Sequence, residues 1–370
     1  MLLLSTATTV NADSFQLIAD GGEPPGINVG YLDVSNDGSS LYVDFFVDGS
    51  WILVESHVHV ATTMDGVPQK NGNPIPGKFQ YSDTDGMYDI PLTWGAGTSL
   101  CIAAYAVVAN PETIIVVSDQ TDKWTAGEIG DIDGSGCVVP PAEPIWTAAV
   151  FCWEHSSWNT SLKPASLKTK LFTAPAADWI WGPVVEPDKK ISNGASYTGG
   201  IVFFKKQIEI PESAYGIQAE LTKTTDNAYY LYVNDADWSG VPAGKAGFMT
   251  FYGPTNFYYI SDGINNLGGG TNSVPYETAG NIYPSDVAID TNTNAWSTIE
   301  QWNISSYLNP GQNELQIVGI NEHAAPEGPG NNPAGLIYKA EINYLFDETA
   351  WGEGPGFPGK NWAMYFTYTV

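Results

Sequence analysis

Two-residue alternation governs this chain, and it is plainest between Trp296 and Asn321, WSTIEQWNISSYLNPGQNELQIVGIN. Asn309-Pro310-Gly311-Gln312-Asn313 is a turn cluster, because Pro fixes φ while Gly and Asn tolerate the left-handed conformations that reverse a chain. Glu314 to Ile320 then alternates apolar and other side chains, the period of a half-buried strand. An upstream run, TTDNAYYLYVNDADW, supplies its partner, with Tyr230, Tyr232 and Asn234 on one face and Leu231 and Val233 on the other.

The same period recurs elsewhere. GYLDVSNDGSSLYVDFFVDGSWILVESHVHVA holds two strand pairs, turned at Asn36-Asp37-Gly38 and at Asp48-Gly49. A loop from Asp65 to Gly77 follows, then KFQYSDTDGMYDIPLTW turning at Asp85-Gly86, then the strand LCIAAYAVVA. At the far end Trp362, Met364, Phe366, Tyr368 and Val370 alternate along one face. In GIVFFKKQIEI the alternation breaks, and a bulge near Lys205-Lys206 accounts for it. Long helical periodicity is nearly absent, so the fold class is all-β.

The pairing of TTDNAYYLYVNDADW with NPGQNELQIVGIN resembles the galactose-binding-like jelly roll, a β-sandwich that prokaryotes use in secreted lectin-like or structural modules. The phrases SNDGSSLYV, ESHVHVA, PIPGKF, IAAYAVVA and ETAWGEG…GKNWAMYFTYTV resemble a recurrent module of secreted archaeal and bacterial proteins, in which the last two lie closer together. The resemblance implies two β-sandwich domains, a jelly roll inserted into a discontinuous sandwich. Its expected parts are an N-terminal extended segment over 1–25, a sandwich of 26–109 plus 347–370, a connector over 110–145, and the jelly roll over 146–346.

Charge narrows the partners. The chain carries 41 acidic residues against 14 basic ones, all lysine, for a net charge of −27. Without arginine it lacks the forked guanidinium that grips phosphate. Nucleic acid and anionic membranes, which need clustered positive charge, are poor partners. No stretch is long and apolar enough to span a bilayer. An acidic extracellular protein is the better reading. MLLLSTATTVNA reads as the remnant of a secretory signal, or else Leu2 to Val10 is an extended segment that pairs with a neighbour.

Three cysteines allow one disulfide, and a Cys101–Cys137 bridge would staple the connector to the first module; three buried thiols, Cys152 included, is the alternative. Glu55, His57 and His59 fall at alternate positions of one strand and so project from one face, a set able to ligate zinc or copper. The competing reading makes that face solvated, with Val54, Val58 and Val60 filling the core. Asp131 and Asp133 before Gly134 resemble the start of a calcium loop, as do Asp83 and Asp85 before Gly86. Asp and Gly also dominate plain turns.

Sugar-binding sandwiches stack pyranoses on exposed rings and hold hydroxyls with Asp and Asn. Trp238, Tyr252, Tyr258, Asp226 and Asp235 are the candidates here, although most rings in a sandwich belong to the core. Asn159 and Asn303 head Asn-x-Ser/Thr sequons and are candidate glycosylation sites. No nucleophile elbow, His-Glu-x-x-His or phosphate-cradling loop is present, so no catalytic residue is assigned. The sequence thus reads first as a non-enzymatic extracellular structural protein: a self-assembling filament, sheath or layer subunit, or an adhesin, with copies of itself as partner. The alternative is a lectin-like carbohydrate-binding module, calcium-dependent or not.

Overall fold

A computed structural model describes residues 11–19, 26–127, 144–151, 162, 165–181, 200–226, 228–235, 244–246, 249–252, 257–260, 299–321, 335–359 and 361–370. It is an all-β structure of antiparallel sheets, with one α-helix among the described residues, Ala165–Phe172. The chain divides into two compact units: unit 1 comprises 1–112 with 345–370, and unit 2 comprises 113–344.

The strands of the first stretch are β1 (Asn11–Ala19), β2 (Ile27–Asn36), β3 (Ser40–Val47), β4 (Ile52–Ala61), β5 (Gln69–Lys70), β6 (Asn73–Pro74), β7 (Tyr81–Asp83), β8 (Met87–Pro91) and β9 (Ser99–Val117). Next come β10 (Lys123–Gly127), β11 (Thr147–Ala148), β12 (Val150–Phe151), β13 (Ile180–Trp181), β14 (Gly200–Ile210), β15 (Tyr215–Asp226) and β16 (Ala228–Val233). The last are β17 (Gly244–Ala246), β18 (Met249–Tyr252), β19 (Phe257–Ile260), β20 (Glu300–Asn303), β21 (Gly311–Asn321), β22 (Gly335–Gly352) and β23 (Phe366–Thr369).

In unit 1 the order is β7-β4-β9-β22-β1-β2-β3-β8, with β23 also on β9. Alternate residues of these strands close on one apolar core that includes Leu32, Val43, Phe45, Val58, Ile102, Ala106 and Phe366. Ser56 and Tyr88 are the polar link inside it: their hydroxyls lie 2.8 Å apart, and Tyr88 Oη donates to the Ser56 carbonyl at 2.7 Å. A second apolar cluster of Phe79, Cys101, Trp351 and Phe357, with Tyr105 and Met64 packed against it, covers the other side of β9.

Several expectations are corrected here. Leu2 to Val10, read as a signal remnant or a segment that pairs with a neighbour, lies outside the described residues, and Asn11–Ala19 after it pairs with β2 and β22 of its own chain. The terminal strand β23 pairs with β9, Phe366 opposite Ile102. Of the expected connector, residues 110–117 continue β9 and 123–127 form β10, which joins a sheet. Val54 is not core. The register of β4 on β9 slips between Leu53 and Glu55, so Val54 is the extra residue of a bulge and stands 36% exposed.

Unit 2 is a sandwich. One sheet runs β11-β10-β14-β21-β16-β17, and the facing strands run β12-β13-β22-β15-β20. Phe204, Leu231 and Ile317 of the first meet Trp181, Leu221, Trp302 and Ile342 of the second in one core. The strand read from TTDNAYYLYVNDADW does pair with the one after the Pro-Gly turn, Tyr232 opposite Gln316. Asn234, at φ 56°, locks that pairing. Its side-chain amide donates to Asn313 Oδ1 at 2.8 Å and to the Tyr307 carbonyl at 2.8 Å, and its Oδ1 accepts from the Glu314 amide.

No bulge interrupts β14: its register on β21 is continuous from Gly200↔Asn321 to Ile210↔Gly311. The alternation breaks because Lys206 occupies an inward position between Phe204 and Ile208. Its ammonium donates to Asp119 Oδ1 at 2.7 Å, Thr121 Oγ1 at 2.6 Å and Asp122 Oδ2 at 3.2 Å. Burial raises the Asp122 carboxyl even so, while Lys206 pulls it back and Tyr338 Oη donates to it at 2.5 Å.

Candidate functional site

The register brings several strand ends of unit 2 together: Gly200 of β14 opposite Asn321 of β21, and Ala228 of β16 opposite Ile320. Nearby, β15 and β20 pair with Lys223 directly opposite Glu300. Both side chains face inward and are shut off from water, Lys223 at 0% and Glu300 at 2% exposure. Lys223 Nζ stands 2.8 Å from the centroid of the Tyr229 ring and donates to Thr225 Oγ1 at 3.1 Å. Tyr229 Oη donates to Glu300 Oε2 and accepts from Trp302 Nε1 at 2.6 Å. Glu300 Oε1 is buried with no hydrogen-bond partner among the described residues.

Burial dominates the electrostatics of this quartet. It lifts the Glu300 carboxyl to about 8, although Tyr229 and Lys223 both pull the other way. It also drives the Lys223 amine well below its ordinary value, with Glu300 opposing. Low-dielectric surroundings penalise each charged form. The arrangement can hold a proton and fix two strands; sealed as it is, it touches no solute. Sequence reasoning missed it. The signal was there, since Lys223 is a charged type in an otherwise uncharged inward-facing row of β15, Leu221 and Thr225 being its neighbours in that row.

Of the expected sugar residues, Asp226 ends β15, and Tyr252 and Tyr258 lie in the hairpin of β18 and β19, opposite Phe257 and Phe251 respectively. Asp235 is half-buried. Its backbone is clamped by Gln316, whose side-chain oxygen accepts from the Asp235 amide at 2.9 Å and whose side-chain nitrogen donates to the Asp235 carbonyl at 2.7 Å. Trp238 lies outside the described residues. Trp179 and Trp181 are core. Asn303 is exposed and its side-chain oxygen accepts from the Ser305 amide at 3.0 Å; Asn159 lies outside the described residues.

Unit 1 separates the expected metal set. His57 Nε2 lies 3.4 Å from Glu55 Oε1, and the His57 ring packs on Tyr105 at 5.7 Å between centroids. His59 turns to the loop instead, with Nε2 3.1 Å from the Gly66 carbonyl, so that nitrogen carries the proton and donates. Its Nδ1 is buried and unpartnered among the described residues, and burial holds its pKa below the ordinary histidine value. The face is partly covered: Glu55 stays half-exposed while the His57 ring is largely buried. No group of three His, Cys, Asp or Glu among the described residues could hold a metal.

Asp83 and Asp85 act as turn residues. Asp83 Oδ1 accepts from the Thr84 and Asp85 amides at 2.6 and 3.2 Å, and Asp85 Oδ1 accepts from Met87 at 2.9 Å. Asp131 and Asp133 lie outside the described residues. Cys101 is a free buried thiol rather than half of a bridge, and burial pushes it up to about 11; Cys137 and Cys152 lie outside the described residues. No helix among the described residues is long and apolar enough to cross a membrane.

No protein-family model matches the sequence, and no curated protein matches it. Among solved structures the chain is similar to a β-glucuronidase of Faecalibacterium prausnitzii, at TM-score 0.29 and 8% identity over 63% of this chain and 31% of that one. It is also similar to an α-L-rhamnosidase of Streptomyces avermitilis complexed with L-rhamnose, at TM-score 0.24 and 11% identity over 90% of this chain and 24% of that one. A calcium-binding mutant of Bacteroides uniformis β-glucuronidase 2 follows at TM-score 0.25 and 11% identity, over 62% of this chain and 18% of that one. The chain spans about a third or less of each of these proteins.

The expectation of a self-assembling filament, sheath or layer subunit, or adhesin, is corrected. The solved structures it is similar to include glucuronidases and rhamnosidases. Phe366–Thr369 of the aromatic-rich terminal strand pairs with the chain's own β9, and of the N-terminal segment the described part, Asn11–Ala19, pairs with β2 and β22.

Proposed function

We propose that this chain is an extracellular carbohydrate-binding protein whose glycan site is carried by unit 2. The observation that supports this reading is the β18–β19 hairpin. Phe251, Tyr252, Phe257, Tyr258 and Tyr259 fall within its paired residues, and among the described residues it pairs with neither main sheet. A lone two-stranded hairpin is marginal in water, so one so loaded with rings suits a partner that covers them. Pyranose faces stack on such rings, and Asp226, Asp235 and Trp238 are the side chains expected to complete the site.

Net charge agrees with this choice, since a neutral polyol needs no cluster of cations. Calcium is a component to vary rather than a resident: a glycan array run with calcium and with chelator tests the reading, alongside Tyr258→Ala and Trp238→Ala. Binding that weakens in both variants supports it. Silence across the array under both conditions, with the protein folded, sinks it.

A further inference from the structure

Lys223 of β15 and Glu300 of β20 stand directly opposite each other, so their Cβ atoms are about 4.5–5.5 Å apart and their side chains leave the sheet side by side. Both are sealed from water. An opposed lysine and glutamate would ordinarily close on each other as ions, yet among the described residues no ion pair joins these two. Instead both bear on one phenol. Lys223 Nζ lies over the Tyr229 ring, 2.8 Å from its centroid, and Glu300 Oε2 accepts from the hydroxyl of that ring.

In water an amine and a carboxylic acid meet as ions, and an ammonium has no lone pair to attack with. Burial here favours the neutral form of both, lowering Lys223 and lifting Glu300 to about 8. Neutral partners already held side by side need no encounter, and such orientation stands in for roughly 10⁵–10⁸ M of one reactant.

The polar contacts match a condensed product better than two free groups. Thr225 Oγ1 accepts from Lys223 Nζ at 3.1 Å, as it would from an amide N–H in the same place. The Tyr229 hydroxyl on Oε2 is the donor that an amide carbonyl needs, and it polarises the carboxyl toward attack. Glu300 Oε1 is buried with no hydrogen-bond partner among the described residues, and it is the atom that condensation removes.

From this arrangement we infer that Lys223 and Glu300 condense to an intramolecular amide that staples β15 to β20. Nζ bonds to Cδ, the Cδ–Oε1 bond breaks, and Oε1 leaves as water with the carboxyl proton and one amine proton. No oxidant, metal or co-reactant is consumed. The freshly folded chain holds both groups free, and closure is slow because Nζ must first leave the Tyr229 ring. The bond closes a loop over the chain between 223 and 300, where β16 to β19 lie, and denies the unfolded state the freedom of that stretch. The staple forms whether or not the β18–β19 hairpin meets a sugar.

Intact-mass measurement of the whole folded chain, freshly purified and then through days of incubation at neutral pH, reads the step directly. The mass falls by one water, and tryptic mapping finds a branched peptide joining Lys223 to Glu300, with no cleavage after Lys223. Lys223→Met and Glu300→Leu keep the full mass, and Tyr229→Phe, which retains the ring, closes at least about tenfold more slowly. A folded parent whose mass never falls overturns the inference, as does a lost water that Lys223→Met also shows. So does a branched peptide that maps to another pair.

Discussion

Strand β4 of unit 1 and strand β14 of unit 2 both interrupt their alternation, and they do so by opposite means. In β4 the chain inserts a residue, Val54, and the rows on either side resume in register with a core that holds no charged side chain among the described residues. In β14 nothing is inserted; an inward position is filled by Lys206, and the sandwich supplies Asp119 and Asp122 to receive it. β15 likewise places an inward lysine, Lys223, opposite a carboxyl, Glu300, although burial there disfavours the charged form of both. Unit 1 thus keeps charge out by bending its backbone, whereas unit 2 admits charge and pairs it. The lesson is energetic: a bulge costs ladder hydrogen bonds locally, while a buried ion pair ties the stability of the core to both partners at once.

The largest effect expected from that difference lies at Glu300. Glu300→Leu strands Lys223 in a dry interior and should cost about 3–5 kcal/mol, read by urea denaturation. Lys223→Met together with Glu300→Leu removes both charges and should recover most of the loss or exceed the parent. If the double variant is as unstable as the single one, the pair is not the source of the cost.

Acidity sharpens the same point, and the signs are opposite for the two partners. With a folded value of about 8 against an ordinary 4.5, Glu300 keeps a proton in the folded chain that the unfolded chain has released. Its contribution to stability is therefore present below the ordinary carboxylate range and is lost as pH rises toward 8. Lys223, lowered from 10.5, does the reverse: the unfolded chain holds the extra proton, so stability grows as pH rises through the window above its folded value. In the parent the two slopes oppose each other. Lys223→Met should melt progressively lower from pH 5 to pH 8, and Glu300→Gln should melt higher as pH rises toward the ordinary lysine value of 10.5. Parallel profiles in both variants would refute the coupling.

A smaller effect separates turn chemistry from core chemistry within unit 2. Asn313 is buried, accepts from Asn234 and from the Asn309 amide, and donates to the Asn309 and Gly311 carbonyls. Asn313→Ala leaves those backbone groups unmet and should cost about 1–3 kcal/mol in chemical denaturation. A cost below about half a kcal/mol would mean that water replaces the side chain freely.

How much of this could be read from the residues follows from the same contrast. Alternation and turn chemistry gave the strands, the pairing across the Asn309-Pro310-Gly311 turn, and the all-β class, because period and turn residues act locally. The partners of Lys206 and Lys223 were illegible. Asp119 and Glu300 lie far from them in sequence, and an isolated lysine in an apolar row looks like a register error until the opposite sheet is in place. Glu55, His57 and His59 show the converse: their shared face was legible, but the loop through Gly66 and the Phe79–Trp351 cluster that covers it was not. The sugar candidates stand between, since Tyr252 and Tyr258 do fall on paired strands while ring stacking is decided by neighbours distant in the chain.

The smallest prediction tests the bulge itself. Val54 and Val58 look alike in ILVESHVHVA, each a β-branched residue in a strand and at the same parity. The slip between Leu53 and Glu55 separates them: Val54 is over a third exposed, whereas Val58 is fully buried against the unit 1 core. Val54→Thr exchanges a methyl for a hydroxyl that water reaches, and stability should change by no more than about 0.5 kcal/mol. Val58→Thr buries the same hydroxyl among apolar atoms and should cost about 1–3 kcal/mol. The comparison is internal, since composition, propensity and volume change identically at both positions. Equal costs at the two would place Val54 in the core and return β4 to regular alternation, and with it the claim that unit 1 excludes charge by bending its backbone.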